Sequence, residues 1–376
     1  MALKAVHVSD VPKLDQVQEN ALFSARFPRV VKAPTKQAKF LVIGHRGSGM
    51  NMLQSSDCRM KAIKENTILS FNAAGKFAVD FVEFDVQVTS DDCAVIFHDN
   101  FILTEQNGTL CEKRVTELTS DEFFSYGPQR DLENVKKTLM RKTKDGRIFN
   151  WTVENDESFC TLKEAFEKVD CLLGFNIELK FDDYIVYQDE ELIHTLKVIL
   201  QVVSEYAKER PVIFSTFQPS AAVLMNKLQN TYPVYFLTNG GSEVYTDVRR
   251  NSLDEAVKLC LDNGLQGIVS QVKAVFKNPE AITKIKNHNL SFLTYGQLNN
   301  VPEAVYMQHL MGIDGVIVDL VKEITLSITD FFNPAKDGGE ESKCEVGGQL
   351  LVRSKPKFSE PELSFLLTLI PHLIQH

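Results

Sequence analysis

The chain has 376 residues, of which 44% are hydrophobic and 24% are charged, and its formal net charge is -9. This composition is typical of a globular protein with a sizeable core, and the acidic balance disfavours nucleic acid or an anionic membrane surface as the main partner. Seven widely spaced cysteines without a CxxC pair indicate free thiols rather than a disulfide framework or a zinc site.

The first 38 residues form a polar leader, predicted over 1–38. Its opening, MALKAVHVSDVPKLDQ, has neither the apolar core of a signal peptide nor the acid-poor composition of a transit peptide. We therefore expect a cytoplasmic protein, with a plastid or another organelle as the alternative. No apolar run in the sequence reaches the length of a membrane span, so we expect no stable membrane insertion. The oligomeric state stays open.

From residue 39 onward, short apolar runs alternate with amphipathic stretches such as 67–78 and 251–264, as in repeated βα units. Eight such runs favour a single α/β domain over 39–330, a closed (β/α)8 TIM barrel rather than an open doubly wound sheet. A ninth run at 94–99 follows the second too closely for a crossover helix and is predicted to pair antiparallel with it. The eight strands are predicted at 39–44, 81–88, 173–180, 211–215, 233–238, 267–270, 291–296 and 315–319.

Two segments fall outside this regular alternation. The interval 100–172 is longer than an ordinary βα connection and is predicted to be an insertion after the second strand, either a solvated surface or a lid over the site. Residues 331–376 are predicted to be a C-terminal extension, a linker followed by an apolar segment at 363–374 that docks on the barrel. The insertion carries a basic cluster of Arg130, Lys136, Lys137, Arg141, Lys142, Lys144 and Arg147.

The second predicted strand, FVEFDVQV, has a polar face, although strands of a covered parallel sheet are normally apolar on both faces. Glu83 and Asp85 share that face, and the strand FNIELK repeats the pattern with Glu178 and Lys180. Three carboxylates buried together require compensation. Their all-oxygen ligand set suits a divalent cation, Mg²⁺ or Ca²⁺, and disfavours zinc. In the alternative, the acids pair with Arg46 and Lys180 and hold no metal.

Two histidines end neighbouring apolar strands, His45 in IGHRG and His98 in IFHD. One histidine at a strand end is more often structural than catalytic, but two beside an acidic cluster favour the acid–base pair that phosphodiester cleavage requires. Arg46 and Lys180 suit the non-bridging oxygens of a phosphate. Glu65, in KENT, is predicted to join the metal ligands or to orient a histidine.

In this order, the motifs closely resemble those of the glycerophosphodiester phosphodiesterase family, in its eukaryotic cytosolic and plant-like branch. The resemblance rests on GHRG, ENT, SFNAA, EFDVQVT, FHD and NIELK, and it continues through the barrel strands to about residue 330. It implies a TIM barrel that uses a divalent cation to hydrolyse small glycerophosphodiesters. Expected substrates are glycerophosphocholine and glycerophosphoethanolamine, and the products are sn-glycerol 3-phosphate and an alcohol.

The resemblance also implies a role for each matching residue. The sequence departs from the family at Lys64, where many members have proline, and at Tyr295, where tryptophan is frequent. Tyr295 is accordingly expected to form a wall of the alcohol pocket. The implied site consists of His45 and His98 as the acid–base pair, Glu83, Asp85 and Glu178 as metal ligands with Glu65 as a further candidate, and Arg46 and Lys180 as phosphate contacts.

Two other functions stay open at this point. A phospholipase-type phosphodiesterase acting on intact lipids would use a similar histidine pair, but it would need an apolar rim or a membrane-binding surface. A non-catalytic phosphodiester sensor would use the same barrel, although binding alone does not require two histidines beside an acidic cluster. Water and the substrate's own glycerol hydroxyl, by way of a cyclic phosphate, are both open as the nucleophile.

Overall fold

The computed structural model describes residues 39–106, 108–128, 137–143 and 145–332. The predicted leader, residues 333–376 of the predicted extension, and Arg130, Lys136 and Lys144 of the basic cluster lie outside these ranges. Within the described ranges, every helix is too short or too polar to serve as a membrane span.

The described elements alternate as the sequence predicts. In chain order the strands are β1 (Leu41–Gly44), β2 (Phe81–Val88), β3 (Ala94–Ile96), β4 (Phe101–Gln106), β5 (Thr109–Arg114), β6 (Met140–Lys142), β7 (Ile148–Asn150), β8 (Gly174–Leu179), β9 (Val212–Thr216), β10 (Val234–Thr238), β11 (Gly267–Gln271), β12 (Ser291–Tyr295) and β13 (Gly315–Val318). The helices are α1 (Ile68–Ala74), α2 (Ser120–Phe124), α3 (Leu162–Lys168), α4 (Asp189–Tyr206), α5 (Pro219–Leu228), α6 (Leu253–Asn263), α7 (Val272–Lys277), α8 (Glu280–Asn287), α9 (Pro302–Met311) and α10 (Val321–Phe332).

Eight parallel strands close into a barrel, because β1 pairs with β13 on one side and with β2 on the other. The order around the barrel is β1, β2, β8, β9, β10, β11, β12, β13. All eight predicted strands are confirmed, within two residues of their predicted ends. The antiparallel pairing of the ninth run is confirmed as well, since β3 pairs antiparallel with the end of β2.

The alternation along each strand separates two apolar regions. Val82 and Phe84 of β2 point out of the barrel and pack in the main core with residues of the surrounding helices, such as Phe71. The intervening side chains point inward, as the two-residue period of a strand requires. A smaller apolar cluster fills much of the interior and contains Ile43, Ile213, Tyr235, Leu237, Val269, Leu293 and Ile317.

The insertion between β3 and α3 is a folded unit rather than a solvated loop. Its strands form a separate four-stranded sheet in the order β5, β4, β6, β7. The helix that follows, α3, packs in the main core and so belongs to the barrel. The insertion has an apolar core of its own, which includes Val95, Phe97, Ile102, Val115, Phe123, Tyr126, Leu139, Trp151 and Phe159.

Candidate active site

The GHRG turn after β1 begins the site at the carboxyl end of the barrel strands. Arg46 has a φ of 48° and Gly47 a φ of 91°, so the chain turns sharply here. A Cβ atom at Gly44 would collide with the carbonyl oxygen of Gly47, and a Cβ atom at Gly47 would collide with Ser70, so both positions require glycine. The turn directs the backbone N–H of Arg46 to Oε2 of Glu83, at 2.9 Å.

Three buried carboxylates face one another at this end of the barrel. Glu83 and Asp85 come from β2, and the strand register sets Asp85 beside Glu178 of β8. One oxygen from each residue lies within 4.8 Å of the others. Oε1 of Glu83 and Oδ1 of Asp85 are buried and accept no hydrogen bond from any described residue. Because buried anionic oxygens without donors suit a hard divalent cation, these residues fit the ion expected from the sequence.

The crowding of these carboxylates changes their protonation. Burial, reinforced by the charge of Asp85, raises the pKa of Glu83 to about 8. Burial and Asp85 also raise the pKa of Glu178. Burial would raise the pKa of Asp85 too, but the charges of His98 and Arg46 outweigh it and hold that pKa below its usual range. A bound cation would favour the ionised form of all three.

Two cations reach the carboxylates. Nζ of Lys180 lies 3.0 Å from Oε1 of Glu178 and 3.7 Å from Oδ1 of Asp85. Nε of Arg46 lies 3.5 Å from Oδ2 of Asp85 and donates no hydrogen bond. These are the ion pairs that the metal-free alternative requires. Within the described part of the chain they leave Oε1 of Glu83 without a donor, and so they compensate the group only in part.

His45 is held by a carboxylate directly after the last barrel strand. Its Nδ1 lies 2.7 Å from Oδ1 of Asp319, and its Nε2 lies 3.9 Å from Oε2 of Glu83. Asn300 donates a hydrogen bond of 2.9 Å to the other oxygen of Asp319 and fixes that carboxylate. Burial alone would lower the pKa of His45, but the charge of Asp319 outweighs it and raises the pKa.

His98 has the same kind of partner and the opposite pKa shift. Its Nδ1 lies 2.7 Å from Oδ1 of Asp99. Burial and the positive charges of Arg46 and Lys180 lower the pKa of His98 to about 4. Because a carboxylate can only accept, we assign the Nδ1 proton to both histidines, which leaves Nε2 of each for the substrate. At neutral pH His98 is therefore the neutral member of the pair, and His45 is protonated more readily.

Glu65 lies between two guanidinium groups. Its Oε1 accepts hydrogen bonds of 2.7 Å from both Arg46 and Arg141, and its Oε2 accepts one of 3.1 Å from Arg141. Burial opposes ionisation of Glu65, but Arg141 and Arg46 lower its pKa to about 2. The structure thus brings Glu65 to the site as the partner of two arginines, outside the group formed by the three facing carboxylates.

The two departures from the family pattern have distinct surroundings. Tyr295 packs edge-on against Phe217, with ring centroids 5.9 Å apart, and burial raises its pKa well above the usual value. Lys64 donates its backbone N–H to the carbonyl of Asn155, at 3.0 Å, a bond that proline could not make. Its buried ammonium lies 3.1 Å from Oδ1 of Asp156. Lysine at this position therefore ties the loop that carries Glu65 to the insertion.

The family model of the glycerophosphoryl diester phosphodiesterase family matches residues 45–323, a range that contains every site residue described above. The chain belongs to this family. The glycerophosphodiester phosphodiesterase GDPD1, chloroplastic, of Arabidopsis thaliana is 57% identical over 378 residues, covering 100% of both chains. The glycerophosphocholine phosphodiesterase gde1 of Schizosaccharomyces pombe is 32% identical and covers 77% of this chain and 28% of its own.

A solved structure supports the fold of this glycerophosphodiester phosphodiesterase family member. The phosphodiesterase of Oleispira antarctica, in complex with sn-glycerol-3-phosphate, has a TM-score of 0.55 at 20% identity and covers 77% of this chain and 96% of that one. The chain is accordingly an enzyme, a phosphoric diester hydrolase that acts on glycerophosphodiesters.

Four residues of this phosphodiesterase site were not assigned from the sequence. Asp319 ends the predicted strand GVIVD and carried a signal, an acid directly after an apolar run, whereas Asp99 ends the FHD motif and is separated from the apolar run by His98. Asn66 donates a hydrogen bond of 2.9 Å to Asp85, while its neighbour Thr67 caps α1. Arg141 was only one member of the basic cluster, and nothing local distinguished it from its neighbours.

Proposed function

We propose that the enzyme hydrolyses glycerophosphocholine, glycerophosphoethanolamine and similar diesters to sn-glycerol 3-phosphate and the free alcohol, with His45 and His98 as the acid–base pair. One observation carries the proposal: two histidines, each bound to a carboxylate, lie beside a group of three carboxylates that has two buried oxygens without donors. Relatives named glycerophosphocholine phosphodiesterase support the choline ester as a substrate.

Glu83, Asp85 and Glu178 would hold a divalent cation, which when bound supplies positive charge that polarises the phosphoryl group. Nε of Arg46 donates no hydrogen bond to any residue that the structure describes, and Nζ of Lys180 lies beside Glu178. Both groups are suited to bind the non-bridging oxygens and to orient the phosphate. Tyr295 would contact the alcohol from the side of the barrel where it packs on Phe217.

The opposite pKa shifts support one distribution of the two proton transfers. His98, neutral at pH 7, takes a proton at Nε2 from the nucleophile, which is water or the glycerol hydroxyl of the substrate. His45, which Asp319 keeps more readily protonated, gives a proton from Nε2 to the departing alcohol oxygen. If the glycerol hydroxyl attacks, the resulting cyclic phosphate is then opened by water, which gives a proton to the now neutral His45 while His98 returns its proton to the glycerol oxygen.

The proposal is tested with the purified full chain and glycerophosphocholine, with release of sn-glycerol 3-phosphate as the measurement. We expect turnover that stops on addition of a chelator and returns with excess Mg²⁺ or Ca²⁺. His45→Ala and His98→Ala should each lower kcat about 10²–10⁴-fold while keeping the circular dichroism spectrum of the wild type. Full activity of either variant, or turnover insensitive to chelation, would contradict the proposal.

The assignment of acid and base has a test of its own. A glycerophosphodiester with a p-nitrophenyl leaving group needs little protonation as it departs, so it should restore much of the rate lost in His45→Ala. The same substrate should not rescue His98→Ala, because a better leaving group does not replace the base that removes the proton from the nucleophile. The reverse pattern of rescue would exchange the two roles.

One observation favours intact lipids as a second class of substrate. Tyr184, Val186 and Val244 are exposed by 93%, 87% and 88% on the loops that follow β8 and β10, at the end of the barrel where the site lies. These loops are linked by an ion pair of 2.6 Å between Asp183 and Arg250. Comparison of lysophosphatidylcholine with glycerophosphocholine tests this candidate, and exclusive turnover of glycerophosphocholine would reject it.

We further propose a plastid location, the alternative to the cytoplasmic expectation. The support is the word chloroplastic in the name of the Arabidopsis thaliana relative that is 57% identical. Imaging of the full chain with a fluorescent protein fused to its C-terminus tests the location. A purely cytosolic signal would favour the cytoplasmic expectation instead.

A further inference from the structure

One side chain of the insertion enters the active site. Arg141 lies on β6, paired with Phe149 of β7, yet its side chain is only 10% exposed. Its guanidinium group stacks on the indole of Trp151, 3.7 Å from the ring centroid. The indole is fixed in turn, because its N–H donates a hydrogen bond of 3.0 Å to Oδ1 of Asn51. Stacking on Trp151, a member of the insertion core, therefore helps to set the plane of the guanidinium group.

Arg141 binds a carboxylate on each of two sides. Toward Asp99, Nε donates to Oδ2 at 2.8 Å and Nη2 donates to Oδ1 at 3.3 Å. Toward Glu65, Nη1 donates to Oε2 at 3.1 Å and Nη2 donates to Oε1 at 2.7 Å. Paired contacts of this kind fix the plane of a carboxylate, which a single ammonium group does not do.

Each of these carboxylates holds a residue of the proposed mechanism. Asp99 accepts from Nδ1 of His98, and Glu65 accepts from Nη1 of Arg46. Among the described residues, Arg141 is the only arginine or lysine that forms an ion pair with Asp99. The side chain of Asp99 is 30% exposed, so without Arg141 this carboxylate would be free to turn toward water. Glu65, by contrast, would keep Arg46.

We infer that Arg141 is a positioning residue, which holds Asp99 so that Nδ1 of His98 stays protonated and Nε2 faces the substrate. The insertion thereby supplies a necessary part of the active site. The inference rests on the proposed role of His98 as the proton acceptor. A purely structural role, fastening the insertion to the barrel, would affect folding without affecting the tautomer of one histidine.

The chain offers a matched control in the same insertion. Arg147 also pairs with an aspartate, with Nε 2.7 Å from Oδ2 of Asp145, and it lies over the ring of Phe149, but its side chain is 63% exposed. Arg141→Met should lower kcat for glycerophosphocholine about 10–100-fold, as loss of a partner behind an active-site ligand typically does, with KM changed less than about twofold. Arg147→Met should keep the wild-type kcat.

Two further measurements separate positioning from structural support. ¹⁵N NMR of histidine-labelled protein should show His98 protonated at Nδ1 in the wild type and a mixture of tautomers in Arg141→Met. In Arg141→Ala, low concentrations of guanidinium chloride should restore part of kcat, whereas sodium chloride at equal ionic strength should not. Arg141→Lys keeps the positive charge but loses the paired N–H donors of the guanidinium group, so its kcat should lie between those of Arg141→Met and the wild type.

Wild-type kcat in Arg141→Met, or an equal loss in Arg147→Met, would overturn the inference. So would an unchanged tautomer of His98 in Arg141→Met. His98→Ala separates this result from the proposed function. If His98→Ala is inactive and Arg141→Met is fully active, only the inference fails; if His98→Ala is fully active, the proposed function fails with it.

Discussion

Opposite sides of the same barrel interior follow different chemical rules. The interior of β2 and β8 carries Glu83, Asp85 and Glu178, whereas the interior of β11 and β12 carries Val269 and Leu293. All four strands are mostly buried. On the apolar side, burial contributes about 25 cal/mol for each Å² removed from water. On the acidic side, burial costs free energy unless the charges are compensated. Stability and catalysis should therefore respond to substitutions on different sides of the barrel.

The largest effect is expected on the acidic side. Glu83→Gln removes a charged ligand and preserves the shape of the side chain, so kcat for glycerophosphocholine should fall about 10³-fold, equivalent to several kcal/mol of transition-state stabilisation. The melting temperature measured without added metal should not fall, because the pKa of Glu83 shows that its charge is unfavourable in the metal-free protein. Glu117→Gln, on a side chain that is 74% exposed, is the control and should match the wild type. Retained activity in Glu83→Gln would show that the acidic side of the barrel is not needed for catalysis.

The next largest effect is expected on the apolar side, and it concerns stability rather than kcat. Leu293→Ala opens a cavity inside the barrel and should lower the free energy of unfolding by about 2–5 kcal/mol in a denaturant titration. The folded variant should keep at least about half of the wild-type kcat, since Leu293 belongs to the apolar interior cluster. Leu326→Ala, at a position that is 56% exposed, should be nearly neutral. A loss of kcat in Leu293→Ala as large as that in Glu83→Gln would show that the two sides are not separable.

The smallest effect concerns the pH dependence on the charged side. Asp319 raises the pKa of His45, so replacing the carboxylate with an amide should lower that pKa. If His45 is the general acid, its protonated form is required, and the alkaline limb of the kcat profile in Asp319→Asn should move to lower pH. The loss of kcat, about tenfold at alkaline pH, should diminish as the pH falls.

The control for this profile is an exposed pair of the same type. Asp92 lies 2.7 Å from Nε2 of His194 at the surface, with both side chains more than half exposed. Asp92→Asn should leave the profile unchanged. An alkaline limb that stays in place in Asp319→Asn would assign that limb to a group other than His45.

The same contrast explains what the sequence could predict. The eight barrel strands were predictable because strands of a covered parallel sheet are apolar on both faces. The three carboxylates were predictable because they interrupt this pattern on the inward face of β2 and β8, at Glu83, Asp85 and Glu178. Asp319 follows an apolar run directly, and a rule that examines the residue after each strand would have found it, whereas His98 separates Asp99 from the apolar run before it.

Arg141 and the sheet of the insertion had no comparable signal. Strand β5 is exposed or half-buried along its whole length, so its sequence shows no two-residue alternation. The partners of Arg141, Glu65 and Asp99, lie 76 and 42 positions away along the chain. Which of several neighbouring cations is buried depends on how the insertion folds against the barrel, and that packing is not encoded in a local pattern.

The bond between the backbone N–H of Lys64 and Asn155, together with the pairing of Glu65 and Arg141, has a consequence for chimeric enzymes. The insertion and the loop after the GHRG turn must come from the same protein, since each supplies hydrogen-bond partners for the other. A recombinant that combines this insertion with the barrel of a family member that has proline at the position of Lys64 would leave the carbonyl of Asn155 without its N–H donor. Exchanges between relatives should therefore move residues 46–66 and 137–156 together.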